Sequence, residues 1–275
     1  MTSKHIGKLT KQQLHNAMKN ESSLFEEYYV WIEQNMPASF FKEMDSANIM
    51  LITHNLMGFP LQEYFTQIHF QGGAIVLCLD SPDADLLILK NFNLYGIKNY
   101  QTFISTSPPP FPEVSSKLRI AFLGFTETEG IDDKGISALS KTEQEDIYQL
   151  LEKRNPDISK KQYRELLKNI NAQFTRSLKP NHLVLALDVF FRSLTRDHCQ
   201  YEVISKKNAK SKNTPHSLQI ILAWRNTPKH RFLYRLAKVV YRHKLSMKMV
   251  HATYIKPYSK DSVLIMYIIK TLSLL

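Results

Sequence analysis

Apolar residues change their spacing three times between residues 218 and 272, and the changes mark out a strand, a helix and two further strands. Residues 218–224 (LQIILAW), 247–255 (MKMVHATYI) and 263–269 (VLIMYII) are rich in β-branched and aromatic side chains, as strands require. Between the first two, Phe232, Leu233, Leu236, Val239 and Val240 fall at helical spacing, while Arg231, Arg235, Lys238 and Arg242 occupy another face. One side of this helix is expected to pack on a sheet and the other to meet water. Residues 263–269 hold no polar side chain except the Tyr267 hydroxyl, so that strand is expected to be covered on both faces.

Upstream, Leu14, Met18, Phe25, Tyr28, Tyr29 and Ile32 recur at spacings of three and four, which predicts a helix over 11–34 with a break near 20–23 and a stop at Met36-Pro37. A helical turn follows at 39–44. Asp45 or Ser46 then caps a helix through Ile49, Met50, Ile52 and Leu56 that Gly58 closes; it is apolar on much of its circumference and therefore expected to be buried. From residue 63 the period changes to two. Strands are expected at 64–70 and 74–79 around the Gln71-Gly72-Gly73 turn. Asp80-Ser81-Pro82 opens a helix with Ala84, Leu87, Ile88 and Phe92 on its apolar face, and strands at 98–105 and 117–125 flank an extended proline-rich connection at 107–112. Residues 141–178 read as helices separated around Asn155-Pro156, Pro180 opens another helix, and a short strand covers 199–205.

These elements predict an α+β protein: two small ferredoxin-like βαββ layers with helices between them, the second incomplete at the C-terminus. The expected organisation is a helical segment at 1–60, a first α/β unit at 61–126, an acidic linker at 127–140 and a helical segment ending in a short strand at 141–205. A basic loop at 206–217 and the second unit at 218–275 follow. Strand-helix-strand-strand lacks the closing helix and strand of the full arrangement, and the residues after 269 leave no room for them. Completion by another chain, or by a longer parent of which this is the leading part, is expected.

Charge divides the chain. Residues 1–150 hold 11 Lys and Arg against 18 Asp and Glu, net −7, and the remainder holds 25 against 7, net +18. Such a basic part can face an acidic partner or nucleic acid. The two cysteines, Cys78 and Cys199, are far apart in sequence, which points to a reducing, cytoplasmic setting. The polar first twenty residues lack the pattern of a secretory signal, and no run approaches the roughly 20 apolar residues of a spanning helix. No membrane association is expected.

Catalytic patterns are missing. No G-x-G-x-x-G, G-x-x-x-x-G-K-[ST], G-x-S-x-G, H-E-x-x-H or C-x-x-C occurs, so no cofactor, catalytic or metal site is expected. Asp80, Asp83 and Asp85 suit the positive end of a helix dipole better than a metal. His198 and Cys199 have the residue types of a base and a nucleophile, but neighbours on a strand point to opposite faces. The candidate contact site is the turn Arg225-Asn226-Thr227-Pro228-Lys229-His230. A turn from strand to helix presents backbone N–H groups and positive dipole to a carboxylate, and Arg225 could add a bidentate partner. The plainer reading is a capped turn with Thr227 as N-cap and Pro228 at the first helical position.

The segment LAWRNTPKHRFLYRLAKVVYRH with MKMVHATYIKPYS resembles an ACT-type regulatory unit. Together with TRDHCQYEV, FFKEMDSANIMLITHNLMGF and AIVLCLDSPDADLLILKNFNLYGIKNYQTFISTSPPPFP, it is similar to the N-terminal region of the large NAD-dependent glutamate dehydrogenases. The resemblance covers most of residues 40–262 and includes no catalytic motif. It implies a regulatory and assembly region that precedes domains converting L-glutamate to 2-oxoglutarate and ammonium with NAD. This chain would bind no cofactor and show no dehydrogenase activity alone. The implied partners are those catalytic domains or a second copy of the chain, and the implied ligand is an amino-acid effector at Arg225, Asn226 and Thr227. The glycine usual in that turn is absent. The chain stops before any catalytic lysine or Rossmann glycines, so an early stop, a split gene and a stand-alone regulator are each compatible.

A basic RNA-binding module of the same topology is the alternative reading. Its central strand should carry an aromatic, glycine-containing stretch, whereas MKMVHATYIK offers only Tyr254. Nucleic acid is therefore not the expected partner.

Overall fold

The computed structural model describes residues 23–58, 65–70, 72–112, 114–125, 139–170, 172–196, 198–206, 217–225, 231–255 and 263–272. The chain is α+β and divides into two units, one of residues 1–84 with 102–122 and the other of 85–101 with 123–275.

In the first unit the helices are α1 (Ser23–Asn35), α2 (Ala38–Glu43) and α3 (Ser46–Met57). Pro37 separates α1 from α2, and the Asp45 carboxylate accepts the Asn48 N–H at 2.7 Å to cap α3. The expected helical residues before 23 lie outside the described ones. Strands β1 (Phe65–Phe70) and β2 (Gly73–Leu79) form an antiparallel hairpin, with Gly72 at φ 89° in the turn. The strand order here is β1-β2-β4-β3, with β3 (Ile97–Ile104) and β4 (Leu118–Phe125) each contributing part of its length. Phe25, Ile32, Phe40, Ile52, Leu56, Ile75, Leu77, Phe103 and Ile120 belong to one buried cluster. β2 is buried through Gly73 to Cys78, as an uninterrupted apolar run requires. The proline-rich connection is tied to α1: Trp31 Nε1 donates to Pro108 O at 3.0 Å, and Thr106 N donates to Asn35 O at 2.9 Å.

The second unit contains α4 (Ala84–Asn91) apart from its first residue, then α5 (Lys141–Arg154), α6 (Lys160–Asn169), α7 (Ala172–Ser177) and α8 (Pro180–Leu194). Its later elements are β5 (Gln200–Lys206), β6 (Ser217–Arg225), α9 (Phe232–Arg242), β7 (Leu245–Ile255) and β8 (Val263–Leu272). Its strands lie in the order β3-β7-β8-β6-β5, and the pairs β3/β7, β7/β8, β6/β8 and β5/β6 are antiparallel. Of the acidic linker at 127–140, residues 127–138 lie outside the described residues and Ser140 caps α5; of the basic loop at 206–217, residues 207–216 lie outside them, while Lys206 ends β5 and Ser217 begins β6.

One feature differs from what the sequence pattern predicts. The place beside β6, which that pattern leaves to later residues or another chain, is taken by β5, paired from Gln200↔Ala223 to Lys206↔Ser217. Sequence order did not reveal this, because a strand preceding β6 satisfies its outer hydrogen-bonding edge as well as one following β8 would. The sheet also carries helices on both faces. Ile221 and Ala223 belong to the same buried cluster as α5, α6 and α8, while the other face presents Trp224, whose ring meets Phe232 of α9 at 6.2 Å.

Candidate functional site

The strand-to-helix connection after β6 was the expected contact site. Arg225 ends β6, and its Nη1 donates to Leu194 O, the last residue of α8, at 3.3 Å. That bond ties the guanidinium to the end of a neighbouring helix. Asn226 and Thr227 lie outside the described residues, so the three effector-site residues are not brought together by anything described. Helix α9 begins later than expected. Its N-cap is Arg231, at φ 62° and ψ −7°, not Thr227, and no side chain caps it. A left-handed residue cannot continue a helix backward, which sets the start at Phe232. The Arg231 N–H donates to Asn93 O at 2.8 Å, a contact with the end of α4 that no sequence pattern signals.

The three aspartates at the start of α4 have separate partners. Asp80 takes Arg119 through Nη2 at 2.7 Å and Nε at 2.9 Å, with the Arg119 side chain only 5% exposed. Asp83 accepts from Ser81 Oγ at 2.8 Å. Asp85 is buried and accepts from the Tyr100 hydroxyl at 2.6 Å and from the Met247 N–H at 3.1 Å. Met247 flanks the irregularity where β7 shifts register against β8, so this carboxylate anchors a bulge. Among the described residues no group of three or more His, Cys, Asp or Glu side chains could hold a metal.

The buried polar groups are structural in character. His251, on β7, pairs in register with Asn99 and Tyr267, and burial lowers its pKa to about 4, so the ring is neutral at pH 7. Asn99 Oδ1 and Gln219 Oε1 are buried with no hydrogen-bond partner among the described residues. Cys199 lies just before β5, and burial raises its thiol pKa, which holds it away from the nucleophilic thiolate. The His198 carbonyl accepts from Gln200 Nε2 at 3.1 Å, a local turn contact. On α8, Asp188 is shared by Arg192 at 3.4 Å and Arg154 at 3.6 Å, and Arg192 also reaches Glu202 of β5 at 2.8 Å. This network fastens helix to strand. No helix among the described residues is long and apolar enough to cross a membrane.

No protein-family model matches the chain, and no curated protein is significantly similar to it.

Proposed function

We propose that this chain is a regulatory and assembly module of the kind that precedes the catalytic domains of the large NAD-dependent glutamate dehydrogenases, binding an amino-acid effector and no nucleotide cofactor. The observation that carries this reading is the connectivity of the second unit. β6, α9, β7 and β8 follow one another, and β8 is hydrogen-bonded between β6 and β7. That is the order in which a βαββ half of a ferredoxin-like, ACT-type unit places its strands. The earlier elements β1, β2, α4, β3 and β4 repeat the alternation on a smaller scale. Support comes also from the lack of a phosphate-binding glycine motif in the sequence. Its natural partners are catalytic domains of that enzyme type or a second copy of the chain.

Isothermal titration of the whole chain with L-glutamate and a panel of other amino acids tests the effector. Saturable heat with one of them, accompanied by no NADH production from L-glutamate and NAD, is expected. No heat with any amino acid removes the effector and leaves only assembly. Turnover by the chain alone overturns the whole reading.

A further inference from the structure

Between Val203 and Lys260 the sequence contains 14 lysines and arginines and no aspartate or glutamate. The described residues of this run supply most of β5 and all of β6, α9 and β7, elements of the second unit. On α9 and its cap, Arg231, Arg235, Lys238 and Arg242 follow one another at intervals of four, three and four residues, which is one stripe along a helix. All four are exposed, and none forms an ion pair with another described residue. The opposite side of α9, Leu233, Ala237 and Val240, is buried. The stripe is therefore held rigidly outward, and the apolar side that a membrane-surface helix would insert is already in use.

We infer that this stripe binds the phosphate backbone of a duplex nucleic acid without reading its sequence. The partner goes beyond the amino-acid effector above and does not depend on it. At 1.5 Å per residue the four cations span about 16 Å, the axial length of roughly five phosphates on one strand. Three of the four are arginines, whose planar fork matches phosphate oxygens bidentately. An acidic peptide would need favourable charge only where it touches. A polyanion longer than the helix is repelled by any exposed carboxylate nearby, and α9 and the strands that precede and follow it, β6 and β7, carry none. The stripe offers no Asn or Gln to read adenine edges. The ring of Tyr234 lies 5.7 Å from Lys238 Nζ, so this aromatic is engaged by a cation on its own helix, which leaves Tyr241 as the exposed ring beside Arg242, one platform where a single-strand groove stacks successive bases on several.

Fluorescence anisotropy with a labelled mixed-sequence duplex tests this, using the full chain. With four phosphates neutralised, the slope of log K against log salt is expected near −3.6, about a 100-fold loss of affinity between about 50 and 200 mM salt. Replacing Arg235→Gln with Arg242→Gln should flatten the slope by about 2, whereas Lys153→Gln with Lys161→Gln, an equal change of net charge at exposed positions of α5 and α6, should leave it unaltered. Equal losses in the two variants would reduce the binding to bulk charge and overturn the assignment. So would tighter binding of a glutamate-rich peptide of matched charge, which would make the partner an acidic protein, or tighter binding of a single strand than of the duplex.

Discussion

Asp85 shows how one side chain can decide local geometry without any chemistry of its own. It is buried on α4, close in sequence to two other aspartates, and from sequence it looked like one more charge at a helix start. Its two bonds, to the Tyr100 hydroxyl and the Met247 amide, instead tie α4 to β3 and to the irregular end of β7. Asp85→Ala leaves the hydroxyl and the amide without this acceptor, and a loss of about 3 kcal/mol is expected, against about 1.5 for Tyr100→Phe. A double-mutant cycle by urea denaturation should give clear coupling between the two sites; additive losses would mean that the hydroxyl and carboxylate act independently. His251 makes a second residue-scale prediction. Its pKa is about 4 in the fold against 6.5 as the ordinary value, so below pH 6.5 the unfolded chain binds the proton that the folded chain refuses. Its contribution is therefore complete above pH 6.5, declines as the pH falls, and is fully lost below pH 4. The loss is about 3 kcal/mol. His251→Gln should flatten that part of the stability curve, measured by denaturant titration at pH 7, 5.5 and 4. An unchanged slope would place the acid sensitivity elsewhere.

At the scale of elements, helix boundaries depend on caps, and caps are cheap to test. Ser140 and Ser159 each form a reciprocal capping box, with Glu143 and Gln162 respectively. Ser140→Ala and Ser159→Ala should each cost about 1 kcal/mol, and a threonine at either position should recover most of it; both are read from thermal or urea unfolding. No change on either alanine substitution would mean that packing of Ile147, Leu151, Tyr163 and Leu167 alone fixes these helices. The same boxes mark what sequence reading overlooked. S-x-x-E at 140 and S-x-x-Q at 159 are the sequence marks of these boxes, and α5, α6 and α7 occupy the stretch 141–178, where periodicity alone predicts helices separated around Asn155-Pro156. Strong periodicity was legible: the unbroken apolar run of β2 and the strand at β8 stand where the pattern places them, and α9 buries the apolar side that its spacing marks although it starts later. Features set by distant neighbours were not. Arg231 adopts a left-handed conformation while its amide bonds to Asn93, and nothing local distinguishes it from an ordinary helix residue. The pairing of β5 with β6 across a basic loop was equally hidden, because alternation specifies which side chains face inward and not which strand lies alongside.

For the whole molecule, the net charge of +11 understates the repulsion the fold contains. The described ion pairs link Arg119 with Asp80, Lys160 with Glu145, Arg154 with Asp188, and Arg192 with Asp188 and Glu202; all of these lie before the carboxylate-free run that begins at Val203. That run holds 14 positive groups, eight of them on described residues in or beside β5, β6, α9 and β7, and neighbours along the α9 stripe fall within a Debye length of about 10 Å at 0.1 M salt. Added salt weakens their mutual repulsion more in the folded state than in the more extended unfolded chain, so stability should rise with ionic strength. A Tm that climbs between about 20 and 200 mM sodium chloride in differential scanning calorimetry is the expected result. Substituting Arg235 and Arg242 by glutamine should raise the low-salt Tm and reduce its salt dependence, with each change contributing up to about 0.5 kcal/mol. A Tm that falls with salt would mean that attraction between the acidic first 150 residues and the basic remainder outweighs repulsion within the run. In that case the outward stripe of α9 would already be electrostatically satisfied within the chain, and its affinity for duplex phosphate should be weak at every salt concentration.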